Sequence, residues 1–263
     1  MPEQFTSSTE GRIYRELGDA LSGMVESFSF TSLAEKILST EGGAAVQTLS
    51  DAGRAVLVRR ALEELQDNVH YYHRHRRSAA FCQMAAQTID ELKSAGLSGQ
   101  QLAQLAGACG AESGKLSELA LIFQGYETLL ARSGMDPSDR LELAGARLEE
   151  ALARHSLPEF LRDRAVFIDE FDTFNAPKKR LLGAMLAALP SVTVALCDDG
   201  APMLPGDLSL FSGAKQVAAQ LRQLARKNGA EVAVPQLLRK DLRHRNAPGL
   251  AAVAELLETD SCT

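Results

Sequence analysis

The sequence predicts an α/β protein that is mostly helical, with a parallel sheet interrupted by an all-helical insertion. Three observations carry this. After Pro158, short apolar runs rich in β-branched residues alternate with helical stretches, the spacing of β-α-β units. Between Thr40 and Pro158 apolar residues recur at three- and four-residue intervals with almost no strand signal. Aromatic residues make up only 5% and Trp is absent, while Ala, Leu, Glu, Gln and Arg abound, so helix is favoured by propensity along most of the chain.

The elements follow in order. Residues 9–21 read as a helix, residues 25–30 (Val-Glu-Ser-Phe-Ser-Phe) as a β-prone run, and Thr31 can then N-cap a helix carrying Leu33, Ile37 and Leu38. In the middle block the clearest helices are residues 51–66, 79–94, 116–131 and 139–155. Breaks are expected at Gly96-Leu97-Ser98-Gly99, over residues 107–114, and at Gly134-Met135-Asp136-Pro137. Beyond it, residues 165–168, 192–196 and 232–234 are buried-strand candidates, separated by helices over 177–189 and 213–228. The expected organisation is an α/β unit formed by residues 1–40 and 159–263, with residues 41–158 as the helical insertion.

Composition narrows the function classes. With 263 residues, 45% apolar and 24% charged, the chain matches globular averages and has enough length for one large or two smaller cores. The longest apolar run, residues 184–189, falls far short of the roughly 20 residues that span a bilayer, and the N-terminus is polar. The expectation is a cytoplasmic protein without membrane contact. Cys82, Cys109, Cys197 and Cys262 are widely spaced and form no CxxC pair, which reads as free thiols without a zinc or iron-sulfur site. A net charge of −6 gives no global attraction to nucleic acid, so any such contact needs a local basic patch.

Three constellations could carry chemistry. Ala165-Val166-Phe167-Ile168 runs into Asp169-Glu170 at the expected carboxyl end of a strand, where ligands bind in open parallel sheets. In nucleotide hydrolases this is the Walker B arrangement: the Asp holds Mg²⁺ through water and the Glu orients the attacking water. The plain alternative is a strand ending in a polar loop. A phosphate-cradling GxxxxGK[ST] loop is absent. Gly110-Ala111-Glu112-Ser113-Gly114-Lys115 comes nearest, but it is one residue short and joins helices. The second constellation comprises Phe5-Thr6 at the start of a helix and residues 27–38, polar helix openings that can bind phosphate or serve as ordinary caps. The third is His70-Tyr71-Tyr72-His73-Arg74-His75-Arg76-Arg77, a basic cluster with interleaved tyrosines. It reads as a single-strand DNA surface, a histidine metal site or a solvated helix end.

Taken in register, these pieces resemble the motifs of superfamily 1 helicases. Phe5-Thr6 resembles motif Ia, Ser29-Phe30-Thr31-Ser32-Leu33-Ala34 motif Ib, and Ile168-Asp169-Glu170 motif II. Leu196-Cys197-Asp198-Asp199 resembles a degraded motif III, and residues 241–248, with Arg243 and Arg245, resemble motif IV. Within that superfamily the chain is similar to the AddB (RexB) subunits of AddAB helicase-nucleases. The opening Pro2-Glu3-Gln4-Phe5-Thr6 resembles their PEQFT signature, and residues 80–93, 115–123 and 166–169 add to the match.

The resemblance implies an incomplete RecA-like (P-loop NTPase) sheet. Residues 1–40 would begin domain 1A, residues 41–158 would form helical domain 1B, and residues 159–263 would complete 1A. It implies Asp169 as the Mg²⁺ residue, Glu170 as the water-orienting residue, and Arg243 or Arg245 near the nucleotide phosphates. Phe5, Thr6, Ser29, Phe30 and Thr31 would line a single-strand DNA path. ATP and Mg²⁺ would bind only in an intact subunit whose phosphate loop lies upstream, and the family's iron-sulfur nuclease domain would lie beyond residue 263. An AddA-type subunit and single- and double-stranded DNA are the implied partners, in the processing of double-strand breaks. Family members often carry Gly where this chain keeps Glu170. A sheet lacking its central strand is further expected to self-associate or rearrange. The competing expectation is a non-catalytic interaction module.

Overall fold

A computed structural model describes residues 2, 6–110, 113–204, 206, 209–238, 249, 250 and 253. Short polar residues open most of its helices. Ser29 caps α2 (Phe30–Glu41), Ser50 caps α3 (Asp51–Glu64), Ser78 caps α4 (Ala79–Ser94) and Ser98 caps α5 (Gly99–Ala106). Each side chain accepts the backbone N–H three residues on, a contact worth about 1 kcal/mol. They follow α1 (Thr6–Ser22), which bends at Gly18. Helices α6 (Ser113–Ser133) and α7 (Pro137–Ala153) come next, the latter with proline in its first turn. Strand β1 (Ala165–Ile168), α8 (Ala176–Ala188) capped by Asn175, β2 (Ser191–Val194) and α9 (Ser212–Lys227) complete the order.

Two of these starts differ from expectation. Ser29, not Thr31, caps α2, because Ser29 and Ser32 satisfy each other's backbone N–H groups in a reciprocal capping box. Ser98 and Gln101 do the same for α5, so Gly96-Leu97-Ser98-Gly99 opens a helix where a break alone was expected.

Buried side chains separate into two clusters. Helices α3 to α6 enclose the first, which includes Val58, Leu62, Ile89, Phe123 and Tyr126. The second gathers Ile37 and Leu38 of α2, Leu148 of α7, Ile168 of β1 and Leu181, Leu182 and Met185 of α8. Helix α7, assigned to the insertion on sequence, thus buries its apolar face with the α/β elements.

A polar seam joins the two clusters. Lys93 of α4 reaches Asp136 at 2.8 Å and Asp139 at 2.7 Å, Tyr126 donates to Asp136 at 2.5 Å, and Ser138 donates to Asp90 at 3.2 Å. Burial works against the Lys93 ammonium, but its hydrogen bonds to Asp136 and Asp139 outweigh that, and its pKa is raised.

Strands β1 and β2 pair in parallel, Ala165 opposite Ser191 through Ile168 opposite Val194, with α8 as the crossover. Val166, Ile168, Val192 and Val194 turn toward the second cluster. Ala165, Phe167, Ser191 and Thr193 alternate with them and face outward, and Phe167 is 73% exposed. Parallel sheets are normally covered on both faces, so one face of this sheet is open. No third strand joins it among the described residues. Residues 232–234, expected as a strand, have no ladder partner among the described residues, and Val234 is 89% exposed. β-branched residues favour a strand only where a neighbour supplies hydrogen bonds and packing. No helix of the described residues is long and apolar enough to cross a membrane.

The chain enters and leaves the helical block through one neck. Thr48 and Met135 form an isolated parallel bridge, with Leu49 N–H donating to Met135 O at 2.9 Å and Met135 N–H to Gln47 O at 3.0 Å. Gly134 makes this possible: its φ is +152°, and a Cβ there would lie 2.7 Å from Gln47 O. Gly134→Ala is expected to destabilise the chain by about 2 kcal/mol through strain and overpacking, read as a lower urea midpoint. An unchanged midpoint would show that the neck relaxes freely.

Candidate functional site

The site is the carboxyl end of β1 together with the start of α2. Asp169 follows the last residue of β1 and is exposed. One of its carboxylate oxygens accepts the Glu170 backbone N–H at 2.9 Å. Glu170, also exposed, has φ +67°, a left-handed conformation uncommon outside glycine and a point of local strain. The chain therefore turns sharply directly after the strand and presents both carboxylates at its tip.

An aromatic trio ties this loop to α2. Phe30 meets Phe171 edge-on at 5.1 Å and Phe174 at 6.2 Å, and Phe171 lies 5.7 Å from Phe174. Lys178, in the first turn of α8, places its ammonium 5.6 Å from the Phe30 ring centre and 5.0 Å from that of Phe171. Burial lowers its pKa. Nothing in the sequence singled out Lys178, because the rings that carry it are separated from one another by well over a hundred residues.

The predicted site residues fall into three groups. Asp169, Glu170 and Thr31 are exposed and lie on the two segments that the aromatic trio joins. Ser29 and Phe30 are only 6% and 8% exposed; the Ser29 hydroxyl is engaged in the α2 cap and the Phe30 ring in the trio. Of these three residues expected along a single-strand path, Ser29, Phe30 and Thr31, Thr31 is the one whose side chain is exposed. Thr6 is the first residue of α1, while Phe5, Arg243 and Arg245 lie outside the described residues.

After β2, the loop of the motif III resemblance is held differently. Asp199 accepts the Ala201 N–H at 2.8 Å and pairs with the buried Lys215 of α9 at 3.1 Å, which together lower its pKa. Asp198 accepts the Gly200 N–H at 3.0 Å. These acids organise their own turn.

A Mg²⁺–nucleotide fits this end only in part. Mg²⁺ retains several waters and needs one or two carboxylates plus phosphate oxygens. Asp169, exposed with one oxygen not taken by Glu170 N–H, suits that role. No three His, Cys, Asp or Glu residues converge as a self-sufficient metal site among the described residues. Of the glycine-containing run at 110–115, Ser113, Gly114 and Lys115 form the first turn of α6 and do not follow a strand, and residues 111 and 112 lie outside the described residues. The basic cluster at 70–77 is remote in the fold, between α3 and α4 on the helical block.

Comparison with known proteins bears on this arrangement. Residues 1–254 match the family model described as ADDB, N-terminal. Over 260 residues the chain is 34% identical to an ATP-dependent helicase/deoxyribonuclease subunit of Desulforudis audaxviator, covering 95% of this chain and 22% of that protein. The subunit of the same name from Moorella thermoacetica is 32% identical over 262 residues, with coverage of 95% and 22%. That of Clostridium perfringens (strain 13) is 28% identical over 248 residues, with coverage of 93% and 21%. The chain thus spans about a fifth of the length of these relatives. With nearly its whole length inside the family model, this chain belongs to the AddB N-terminal family.

Proposed function

We propose that the chain is the helicase-like N-terminal part of a helicase–deoxyribonuclease subunit that works with an AddA-type partner on DNA ends, in double-strand break processing. Family membership carries this reading, and the relatives' name, ATP-dependent helicase/deoxyribonuclease, supports it. In this reading residues 1–40 and 159–263 belong to a RecA-like domain 1A and residues 41–158 to domain 1B, of which α7 packs against the 1A elements. The parallel β1–α8–β2 unit with acids at the end of β1 is consistent with that assignment.

Asp169 and Glu170 form a nucleotide half-site. Asp169 would hold Mg²⁺ through water, and the ion would neutralise charge on the phosphates of ATP. Glu170 would orient the attacking water, and Arg243 or Arg245 would approach the phosphates. Thr31, exposed at the start of α2, lines the single-strand path with Phe5 and Thr6. Ser29 and Phe30 position it from beneath. Phe30 packs on Phe171, so the loop carrying Asp169 and Glu170 and the start of α2 meet in one aromatic contact.

The test is Asp169→Ala in the complete subunit. ATP hydrolysis by that subunit is expected to fall to background while its circular dichroism and melting stay unchanged. Unaltered hydrolysis would remove Asp169 from the nucleotide site. A second reading, a docking scaffold without catalysis, is favoured by the open β1–β2 face with Phe167 outward. It predicts that Asp169→Ala changes nothing while Phe167→Asp weakens assembly with the partner subunit.

A further inference from the structure

The basic segment 70–77 is a built knuckle on the helical block. Glu118 of α6 anchors it: its carboxylate accepts three successive backbone N–H groups, from His70 at 2.9 Å, Tyr71 at 2.8 Å and Tyr72 at 3.1 Å. Burial pushes the Glu118 carboxyl up, yet these three donors outweigh it and its pKa is lowered, so the clamp is an ionised one. Val69 is buried just before the knuckle. Behind it Tyr72 packs on Phe81 at 5.3 Å, His75 stacks on the same ring at 5.5 Å, and the Cys82 thiol donates weakly to Arg76 O at 3.9 Å. The short 3₁₀ turn His73–His75 then leads into the Ser78 cap of α4.

This base carries Arg74, Arg76 and Arg77. Arg76 contacts the His73 ring, and none of Arg74, Arg76 and Arg77 makes an ion pair among the described residues. The contrast with the preceding helix is sharp: Arg59 and Arg60 of α3 each pair with the Glu four residues on, at 3.0 Å. Nearby Glu118 is already committed to backbone N–H groups. Arginines not met by acids can neutralise phosphates, and the counterions condensed on the nucleic acid are released when they do.

Two further features mark this patch, and the first bears on the kind of polyanion. Tyr71 is 58% exposed and lies at the knuckle's edge, with the Lys115 ammonium 5.3 Å from its ring centre. An exposed aromatic face flanked by cations suits an unpaired base joined to phosphates, and an acidic protein surface would not use it. Beside the arginines lies a shallow depression of ≈ 400 Å³, lined by Gln66, Asp67, His70, His73 and Arg74. The chain's net charge of −6 gives no global attraction to DNA, so a contact needs a local basic patch, and this segment is one.

We propose that the knuckle of residues 70–77, with Lys115, is a contact surface for single-stranded DNA, with Arg74, Arg76 and Arg77 on the phosphates and Tyr71 against a base. The identity of the nucleic acid rests on the helicase–deoxyribonuclease reading above. The placement of the contact rests on the knuckle itself and is independent of the path at Thr31.

The experiment is fluorescence anisotropy with a labelled 30-mer oligothymidylate and the complete subunit, titrated across a series of KCl concentrations. Arg74→Ala/Arg76→Ala/Arg77→Ala is expected to weaken binding about tenfold at low salt. It also makes the plot of log affinity against log salt shallower by about 2, because three single-strand phosphate contacts are lost. Arg74→Lys/Arg76→Lys/Arg77→Lys retains the slope, and Tyr71→Ala weakens binding about fivefold or more without changing it.

An unchanged slope and affinity in the alanine variant, with wild type binding normally, overturns the knuckle alone. No binding by wild type overturns the knuckle and the DNA reading together. Loss of partner-subunit assembly with oligonucleotide binding intact makes the surface a protein interface and overturns the proposal. Should the alanine variant fail to fold, Tyr71→Ala decides the matter, since it leaves the Glu118 clamp on the backbone untouched, and unchanged affinity in that variant overturns the proposal.

Discussion

Lys93→Met lowers the stability of the chain by about 3–5 kcal/mol, the range for removing one partner of a buried ion pair. The Lys93 side chain is 12% exposed and that of Asp136 1%, so the carboxylate left behind has no route to water. Tyr126 continues to donate to one Asp136 oxygen, but the other loses the Lys93 ammonium. A single-partner change is therefore far worse than removal of both. Lys93→Met/Asp136→Asn is expected to recover part of the loss, and urea unfolding of the two single variants and the double variant measures the coupling. Additive losses would show that the seam carries no pairwise energy. The pH dependence has a definite sign. Because the folded-state pKa of Lys93 is raised, its contribution is complete below the usual lysine value and is lost as pH rises through the folded pKa.

Phe30→Ala is expected to cost about 3–4 kcal/mol, the usual range for emptying a buried phenylalanine site. Phe30 is 8% exposed and makes edge contacts with both Phe171 and Phe174, so its loss leaves a hole beneath the loop carrying Asp169 and Glu170. Lys178 loses one of its two aromatic supports at the same step. Since the chain has no Trp, far-UV circular dichroism during urea unfolding is the appropriate readout. Phe30→Leu, which refills much of the volume, should retain most of the stability. A loss below about 1 kcal/mol for the alanine variant would mean that the loop collapses into the space, since the penalty depends on residual cavity volume.

Local chemistry explains which parts of this fold were legible. Helix α4 was expected at residues 79–94 and occupies Ala79–Ser94, because Ser78 caps it and Ala95-Gly96 ends it within the next two residues. The strand leading into Asp169 was readable from four apolar residues followed by acids, and it is β1. Helix α5 was hidden because Gly99 reads as a breaker. The reason for that glycine lies in tertiary structure: a Cβ there would sit 2.8 Å from the backbone N of Gln124 on α6. Residues 232–234 had strand propensity without a partner, and propensity alone pairs nothing.

At the candidate site, Asp169, Glu170 and the α2 opening were visible as motifs, but their division into exposed and buried members was not. Ser29 and Thr31 are both small hydroxyl residues two positions apart. Only the reciprocal bond with Ser32 decides which one turns inward. The ring contacts joining Phe30 to Phe171 span more than a hundred residues and leave no periodic trace in the sequence.

The neck at Thr48 and Met135 has a consequence for how such a chain can be remodelled. Gln47 and Met135 are already within hydrogen-bonding distance, so the block between them is a graft on one stem, and its excision would leave ends that a short turn can rejoin. The Lys93 seam is a lateral latch that such a change would have to respect. A shuffled descendant that kept the stem but lost the latch would carry the same appendage on a swivel.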